Sequence, residues 1–284
     1  MADIFWGLIV ISSLGVGMFI LTLVATRKLP RYVDDGFALL VVAAIFTYIR
    51  FVWYNTRLVT LLPFSNLIIL GNWFPVAAGI LGGLAWRRMP GRIYRKSIVV
   101  GALACTSLYS LVCPLIGDPP QCLDVWQDGI CVQTTAKTCT PACAATLLRS
   151  HGIETTEREM TALCLTREGT TWLGLYRGLK AKTRGTQWDV EVVSCDAETL
   201  LRDRDRPMIV SVGLPATVPG SKQLAMNEWG WKRGIGHSVI ITPQNNRNGV
   251  RIIDPTPSVG YEDWAVGDIK YLYRGTAMRL VKRS

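Results

Sequence analysis

The sequence predicts an α+β domain preceded by four transmembrane helices. Residues 1–118 of the 284 hold most of the long apolar runs, whereas residues 119–284 mix polar and apolar residues as an ordinary globular domain does. In the second part, segments with helical features come first and alternating apolar segments typical of antiparallel strands come later, an order found in α+β folds. We therefore expect a membrane domain at 1–118 and a globular domain at 119–284.

The first part contains four apolar runs of about the 20 residues that a helix needs to cross a bilayer. The runs are Ile4–Ala25, Phe37–Tyr54, Leu67–Trp86 and Ser97–Ile116. No basic residue precedes the first run and no small-residue cleavage site follows it, which favours a membrane span over a removable signal peptide. The segment before Leu67 is expected at the interface or partly re-entrant, and Gly117-Asp-Pro-Pro120 marks the domain boundary.

Basic residues are concentrated in the first and third loops between these runs. They are Arg27, Lys28 and Arg31 in the first loop, and Arg87, Arg88, Arg92, Arg95 and Lys96 in the third. Four spans put these two loops on one side, and an excess of Lys and Arg favours the cytoplasm. The lipid bilayer is therefore an expected partner, and residues 119–284 are expected to be extracytoplasmic.

Three polar residues lie in or near the apolar runs: Arg50, Asn66 and Asn72. Polar residues within a membrane can mark a transport path. These three cluster near the presumed span ends and beside glycine or proline. We therefore favour an anchor with interfacial polar groups over a transport path.

The net charge of +10 does not indicate a nucleic-acid partner. The membrane part carries +6 of it, from 10 basic and 4 acidic residues in short loops, and the rest carries +4, from 21 basic and 17 acidic residues of mixed pattern. No zinc-finger or RNA-binding signature and no Walker A loop occurs. Cys139 and Cys143 lack the second ligand pair that a zinc site needs, so no metal and no cofactor is expected.

The globular part divides into short helices followed by strands. The expected elements are a helix starting near Pro141 and ending near Gly152, a helix opened by Thr156 and Glu159 and running to about Leu163, a helix at Trp172–Lys180, a strand at Thr186–Ser194, a short helix at Asp196–Arg202, a strand at Met208–Gly213, a hairpin of Ser238–Thr242 and Val250–Ile253, an irregular or short helical segment at Tyr261–Ile269, and a final strand within Tyr271–Val281. The loop Pro215–Gly236, which holds Trp229 and Trp231, fits equally a lid and an ordered surface loop.

Cys139 precedes the first of these helices. Helix N-termini favour anions, and for a cysteine the anion is the reactive thiolate. Gln133, six residues upstream, can turn its amide N–H groups toward the sulfur, where an oxyanion develops during acyl transfer. The alternative without a catalytic role is that Cys139 is a buried hydrophobic residue or half of a disulfide.

A thiolate of this kind needs a base, and the chain has two histidines. His151 lies at the far end of the cysteine helix, about 18 Å from Cys139 at ~1.5 Å per residue, and cannot reach it. His237 starts one hairpin strand and Asp254 ends the other. The hairpin therefore makes them neighbours, and a carboxylate beside an imidazole fixes its tautomer and stabilises the imidazolium.

The pattern of Gln133, Cys139, Pro-Ala at the helix start, Gly-His237-Ser and Asp254-Pro resembles the C39-like cysteine peptidases over about residues 129–280. The resemblance implies a papain-like fold, with Cys139 as nucleophile, His237 as base, Asp254 as orienting carboxylate and Gln133 as oxyanion donor. The family usually has glycine after the nucleophile, where this chain has Thr140. A threonine there is strained if the position needs a positive φ.

An outward-facing domain would allow disulfides among Cys122, Cys131, Cys143, Cys164 and Cys195, with Cys139 left as the odd thiol. Their connectivity does not follow from spacing. Cys143 lies one helical turn after Cys139. An alternative role for it is that of a resolving cysteine in a redox reaction of Cys139.

These residues predict a membrane-anchored cysteine peptidase that acts on a peptide or protein substrate. Two alternatives remain open: an acyl transferase using the same thioester, and a catalytically silent domain that binds a peptide or scaffolds a complex. The C39-like family includes leader peptidases of bacteriocin exporters, which carry the peptidase before the membrane domain and an ATPase after it. In this chain the apolar runs precede the peptidase-like region and no Walker A motif is present. Leader-peptide cleavage coupled to export is therefore not expected.

Overall fold

The computed structural model describes residues 2–53, 55–56, 58–203, 207–214, 234–246 and 249–283. The chain packs into two compact units, Met1–Ile116 and Gly117–Ser284.

In its described residues the N-terminal unit consists of helices joined by short loops. Its elements are α1 (Ala2–Ala25), α2 (Arg31–Tyr48, continued by a π-helical segment Ile49–Trp53), α3 (Leu58–Leu61), α4 (Leu67–Leu70), α5 (Phe74–Arg88) and α6 (Ile93–Val112, continued by a 3₁₀ turn Cys113–Leu115). Four stretches are long and apolar enough to cross a membrane: Ala2–Ala25, Tyr32–Trp53, Leu67–Arg88 and Ile93–Leu115. The prediction of four apolar helices is confirmed.

The third apolar stretch is two helices instead of one. Asn72 accepts a hydrogen bond from the Phe74 N–H (3.2 Å) and donates one to the Ser110 carbonyl (3.0 Å). Pro75 stands in the first turn of α5, where its missing N–H costs no hydrogen bond. Asn66 donates to the Asp3 carbonyl at 2.9 Å. Both asparagines therefore hold the helices together, which agrees with the anchor interpretation.

The first and third loops of this unit meet at one end of the helices. Arg87 pairs with Asp34 (3.3 Å) and donates to the Leu29 carbonyl (2.7 Å), and Arg88 pairs with Asp35 at 2.8 Å. The two basic loops thus share a side, as the orientation argument requires.

The C-terminal unit combines five helices with a small hairpin and a larger sheet among its described residues. Its elements are β1 (Trp126–Gln127), β2 (Ile130–Cys131), α7 (Cys139–Ser150), α8 (Glu157–Leu163), α9 (Trp172–Thr183), β3 (Trp188–Val193), α10 (Ala197–Arg202), β4 (Met208–Gly213), β5 (Gly236–Asn246), β6 (Gly249–Asp254), β7 (Gly260–Ala265), α11 (Val266–Leu272) and β8 (Tyr273–Lys282). β3 to β8 form an antiparallel sheet in the order β3-β8-β4-β5-β6-β7. The prediction of helices followed by an antiparallel sheet is confirmed.

One element was predicted wrongly. The segment expected to be irregular or a short helix, Tyr261–Ile269, begins as strand β7 and becomes helical only from Val266. β7 pairs along the whole of β6, with Val250 opposite Trp264 and Ile252 opposite Glu262. Edge pairing of this kind depends on the partner strand and leaves a weak local signal.

The sheet encloses a core with α10 and α11 on one side. The buried cluster comprises Leu200, Met208, Val210, Val212, Leu214, Val239, Ile241, Val250, Ile252, Trp264, Ile269, Leu272, Tyr273 and Ala277. Alternate residues of β4 and β5 supply much of it, as expected for strands with one face buried against a helical layer. This core fixes β5 and β6, the two strands that carry His237 and Asp254.

Helices α8 and α9 support α7 and pack closely on each other. Thr156 caps α8 by accepting from the Glu159 N–H (3.1 Å), whereas the Glu159 carboxylate accepts from the Thr155 hydroxyl (2.8 Å). A Cβ atom on Gly174 of α9 would overlap the Cys164 carbonyl oxygen. Glycine therefore permits the close approach of the two helices.

We expect Gly174→Ala to destabilise the C-terminal unit by about 1–3 kcal/mol, because overpacking forces backbone atoms apart. Thermal unfolding of the full-length protein in detergent measures the effect. Gly267→Ala in α11 is the matched control, since a Cβ there meets nothing within 4 Å. Equal melting temperatures for the two variants would contradict the close-approach argument.

Candidate active site

The loop that leads to Cys139 is held by a buried carboxylate. Glu157, 0% exposed, accepts hydrogen bonds from the Thr134 N–H (2.8 Å) and hydroxyl (2.9 Å). The Thr138 hydroxyl accepts from the Thr135 N–H at 3.1 Å. Because the loop's polar groups are satisfied within the fold, the first turn of α7 has a fixed position.

Cys139 is the first residue of α7 and is partly exposed. Its backbone N–H lies in the helical turn whose donors have no intrahelical acceptor. His151, the other histidine of the chain besides His237, is far from the Cys139 end of α7. His151 follows the last residue of α7, where its Nδ1 lies 2.8 Å from the Leu147 carbonyl and its ring packs edge-on against Trp188.

His237 and Asp254 are brought together by the β5–β6 hairpin. His237 Nε2 lies 2.9 Å from Oδ1 and 3.1 Å from Oδ2 of Asp254. The side chains are 13% and 4% exposed. The Thr256 N–H donates to Asp254 Oδ1 at 2.8 Å and fixes the carboxylate. The sequence-based expectation that the hairpin makes these residues neighbours agrees with this geometry.

The imidazole of His237 also interacts with the Cys139 thiol. Since Nε2 faces the carboxylate, Nδ1 is the nitrogen that serves the sulfur. Burial raises the pKa of the Cys139 thiol, but the His237 hydrogen bond and positive charge, with the Ser238 N–H and Thr140 hydroxyl, lower it by more, so the pKa lies below its usual value. The site therefore favours a thiolate.

The partners of that thiolate shift in the matching directions. Burial lowers the pKa of His237, but the hydrogen bonds and negative charges of Asp254 and Cys139 raise it well above its usual value. Burial raises the pKa of Asp254, and the imidazolium with the Thr256 donors brings it below its usual value. A thiolate–imidazolium–carboxylate arrangement satisfies all three shifts.

Thr140 takes part in the contact between α7 and β5. Its hydroxyl lies 2.8 Å from the Ser238 hydroxyl, and both residues are buried. The four non-glycine residues with positive φ in the described part of the chain do not include Thr140. The strain that a threonine would suffer at a glycine-like conformation is therefore absent.

Cys143 strengthens the same contact. Its thiol donates to the Ser238 carbonyl at 3.2 Å. Burial, with the nearby Cys139 charge, raises the pKa of the Cys143 thiol well above its usual value, so it remains a protonated donor. Cys139 and Cys143 thus differ in role although they lie one turn apart.

Gln133 is tied to the segment that follows Asp254. Its backbone N–H donates to the Pro255 carbonyl at 2.8 Å. Its side-chain Oε1 is buried and has no hydrogen-bond partner within the described residues. The amide is therefore not fully committed to the fold, which suits a group that meets a ligand.

The expected disulfides do not form. All eight cysteines are free, and Cys122, Cys131, Cys143 and Cys164 are buried. The reason is local: the Cys122 thiol faces the Thr161 hydroxyl at 3.3 Å, while the Cys143 thiol faces a backbone carbonyl. No group of three or more potential metal ligands occurs among the described residues.

Sequence reasoning proposed Gln133, Cys139, His237 and Asp254 but missed Ser238, Thr256 and the interior contacts of Glu157. Ser238 meets Thr140 across 98 residues of chain. The only sequence signal for it is its place directly after His237. The loop Pro215–Gly236, considered as a lid, lies mostly outside the described residues, as does the tip of the β5–β6 hairpin.

Comparison with protein families gives one match, between residues 128–215 and the Peptidase C39 family. The C-terminal unit contains a C39-like domain. The matched segment includes Gln133 and Cys139 and ends before His237. The search of curated proteins found no match.

Solved structures similar to the C39-like domain include two peptidase domains. The peptidase domain of Streptococcus ComA, a bi-functional ABC transporter, has 23% identity and a TM-score of 0.42, covering 54% of this chain and 98% of that one. A double glycine motif protease from an AMS/PCAT transporter, in complex with its leader peptide, has 15% identity and a TM-score of 0.41, covering 54% and 91%.

The lowered thiol pKa predicts how alkylation of Cys139 depends on pH. In wild type, the rate with iodoacetamide rises through a pKa below the usual ~8.5, and His237→Ala moves that midpoint upward because the imidazolium charge is lost. Mass spectrometry of the Cys139 peptide measures the rate. His151→Ala is the control and leaves the profile unchanged. Identical profiles for wild type and His237→Ala would exclude activation by His237.

Proposed function

We propose that the chain is a membrane-anchored cysteine peptidase in which an anchor at 1–118 carries a C39-like domain at 119–284. The observation that carries the proposal is the position of His237, which lies 2.9 Å from the Asp254 carboxylate and also lowers the pKa of the Cys139 thiol. A pre-formed thiolate beside an imidazolium is the pair that attacks an amide carbonyl. The family match supports a peptidase.

The reaction proceeds in two stages. The Cys139 thiolate attacks the carbonyl carbon, and the resulting oxyanion is stabilised by the Cys139 backbone N–H and the Gln133 amide. The C–N bond breaks as His237 protonates the leaving amine. Water, deprotonated by His237, then cleaves the thioester, while Asp254 keeps the imidazole oriented. The residues of the site suffice without a cofactor.

The structure also bears on the silent-domain alternative. That alternative rested on Thr140, and its helical conformation and hydrogen bond to Ser238 remove the physical objection to activity. Acyl transfer uses the same residues up to the thioester, so product analysis separates it from hydrolysis.

We expect the full-length protein in detergent to cleave members of a quenched peptide library. Cys139→Ala abolishes cleavage because no thioester forms, and Gln133→Ala lowers turnover about 10²-fold through loss of an oxyanion donor. Gln121→Ala, an exposed glutamine outside the site, is the control. Turnover unchanged by Cys139→Ala would rule out the nucleophile. Products lacking added water would favour the transferase.

We further propose that the C39-like domain faces out of the cytoplasm. The support is the charge of the first and third loops, which meet at one end of the N-terminal unit.

A membrane-impermeant thiol-reactive peptide electrophile tests the orientation. In intact cells we expect labelling of wild type but not of Cys139→Ala or His237→Ala, because only an outward thiolate reacts. Labelling that appears only after lysis would reverse the orientation and leave the enzyme proposal intact.

A further inference from the structure

A cavity of about 210 Å³ adjoins the proposed active site. It lies between the β1–β2 hairpin and the segment that joins β6 to β7. Asp254 lines it from one side and Asp128 from the other, with Val259 and Tyr261 among the remaining lining residues. The cavity therefore shares one residue with the hydrogen-bonded set of Cys139, His237 and Asp254.

The shared residue relates the cavity to the direction of the substrate. His237 must protonate the leaving amine, so the part of the substrate after the scissile bond passes His237. Asp254 contacts His237, and Thr256 both lines the cavity and donates to Asp254. An extended chain spans about 3.3–3.6 Å per residue, so the first three residues after the bond cover roughly 10 Å beyond it.

The charges around the cavity favour a cation. Its lining includes two carboxylates and no lysine, arginine or histidine. Asp254 is matched by His237, whereas Asp128 is exposed and has no ion-pair partner within the described part of the chain. Arg251 lies 5.8 Å from the Tyr261 ring and forms an ion pair with Asp263 (3.5 Å). One carboxylate is thus left to attract a positive charge.

The apolar part of the lining fits a long side chain. Val259 is 38% exposed and Tyr261 is 52% exposed, while Ile130 and Val132 are buried beneath them. Lysine and arginine pack their methylene groups on such surfaces and keep the charged group at the rim.

The turn itself does not require a carboxylate. Asp128 (φ 49°) and Gly129 (φ 80°) form the two-residue connection between β1 and β2. Asparagine adopts this conformation as readily as aspartate. The negative charge is therefore an addition to what the turn needs, and Asp128→Asn removes it with little change in conformation.

We propose that this cavity binds a lysine or arginine side chain among the first three residues after the scissile bond. The inference rests on the proposed peptidase function and adds a substrate class to it. Asp128 determines this preference by pairing with the cation at the rim of the cavity.

The test uses the acyl-enzyme of the full-length protein. N-acetylglycine p-nitrophenyl ester acylates Cys139 and releases p-nitrophenol. An added tripeptide amide then competes with water: its amine nitrogen attacks the thioester carbonyl, the C–N bond forms, the C–S bond breaks, and the amine proton passes to His237. In each acceptor one position is lysine, norleucine or glutamate, and the others are glycine.

At one of the three positions we expect the acyl group to be transferred about three- to fivefold more often to the lysine acceptor than to the norleucine acceptor. An exposed ion pair can supply a difference of this size. The glutamate acceptor receives the acyl group less often than the norleucine acceptor, and added salt reduces the preference for lysine. Asp128→Asn removes the preference without changing p-nitrophenol release. Glu154→Gln, which removes an 81% exposed carboxylate outside the cavity, retains it.

The outcomes separate the two proposals. Normal acylation with equal transfer of lysine and norleucine at all three positions would overturn the cavity inference alone. A lysine preference that survives Asp128→Asn would overturn the role of Asp128 and hence the inference. Absence of p-nitrophenol release that depends on Cys139 would overturn the peptidase function, and the inference with it.

Discussion

Cys139, His237 and Asp254 are mostly buried together, and burial alone disfavours the charged form of each. The contacts of His237 with the other two residues stabilise these charged forms. Burial raises the pKa of the thiol and of the carboxyl and lowers that of the imidazole, and their mutual contacts, with hydrogen bonds from Ser238, Thr140 and Thr256, reverse all three shifts. Removing one partner from a buried charged set leaves the others uncompensated. Much of the C-terminal unit serves to hold these groups in contact.

The unit achieves this by joining two separate parts of the chain. The loop and helix that present Cys139 are fixed by Glu157, while β5 and β6 are fixed by the core of the sheet. Ser238 connects the two parts, because its hydroxyl meets Thr140 and its carbonyl meets Cys143. Cys143, whose thiol stays protonated, therefore helps to position Cys139 one turn earlier on α7.

Local patterns in the sequence were sufficient for the apolar helices, for α7 to α9, and for the hairpin that carries His237 and Asp254. Hydrophobic period, capping residues and turn residues act over a few positions and leave visible traces. The Thr140–Ser238 contact depends on partners 98 residues apart in the chain. Strand β7 pairs with its neighbour β6, and its own residues carry only a weak strand signal. The break between α4 and α5 depends on Asn72 bonding to Ser110, 38 residues away. A single sequence does not encode these pairings in any short window.

The strand order has a consequence for the moment during synthesis at which Cys139 meets His237. The last strand in sequence, β8, lies inside the sheet between the edge strand β3 and β4. During synthesis Cys139 emerges about 100 residues before His237, and β4 finds its second neighbour only when β8 has been made. A nascent chain that has not yet reached His237 therefore lacks the partner that lowers the pKa of the Cys139 thiol. The thiolate that this site favours is thus a property of the folded C-terminal unit and not of the α7 segment alone.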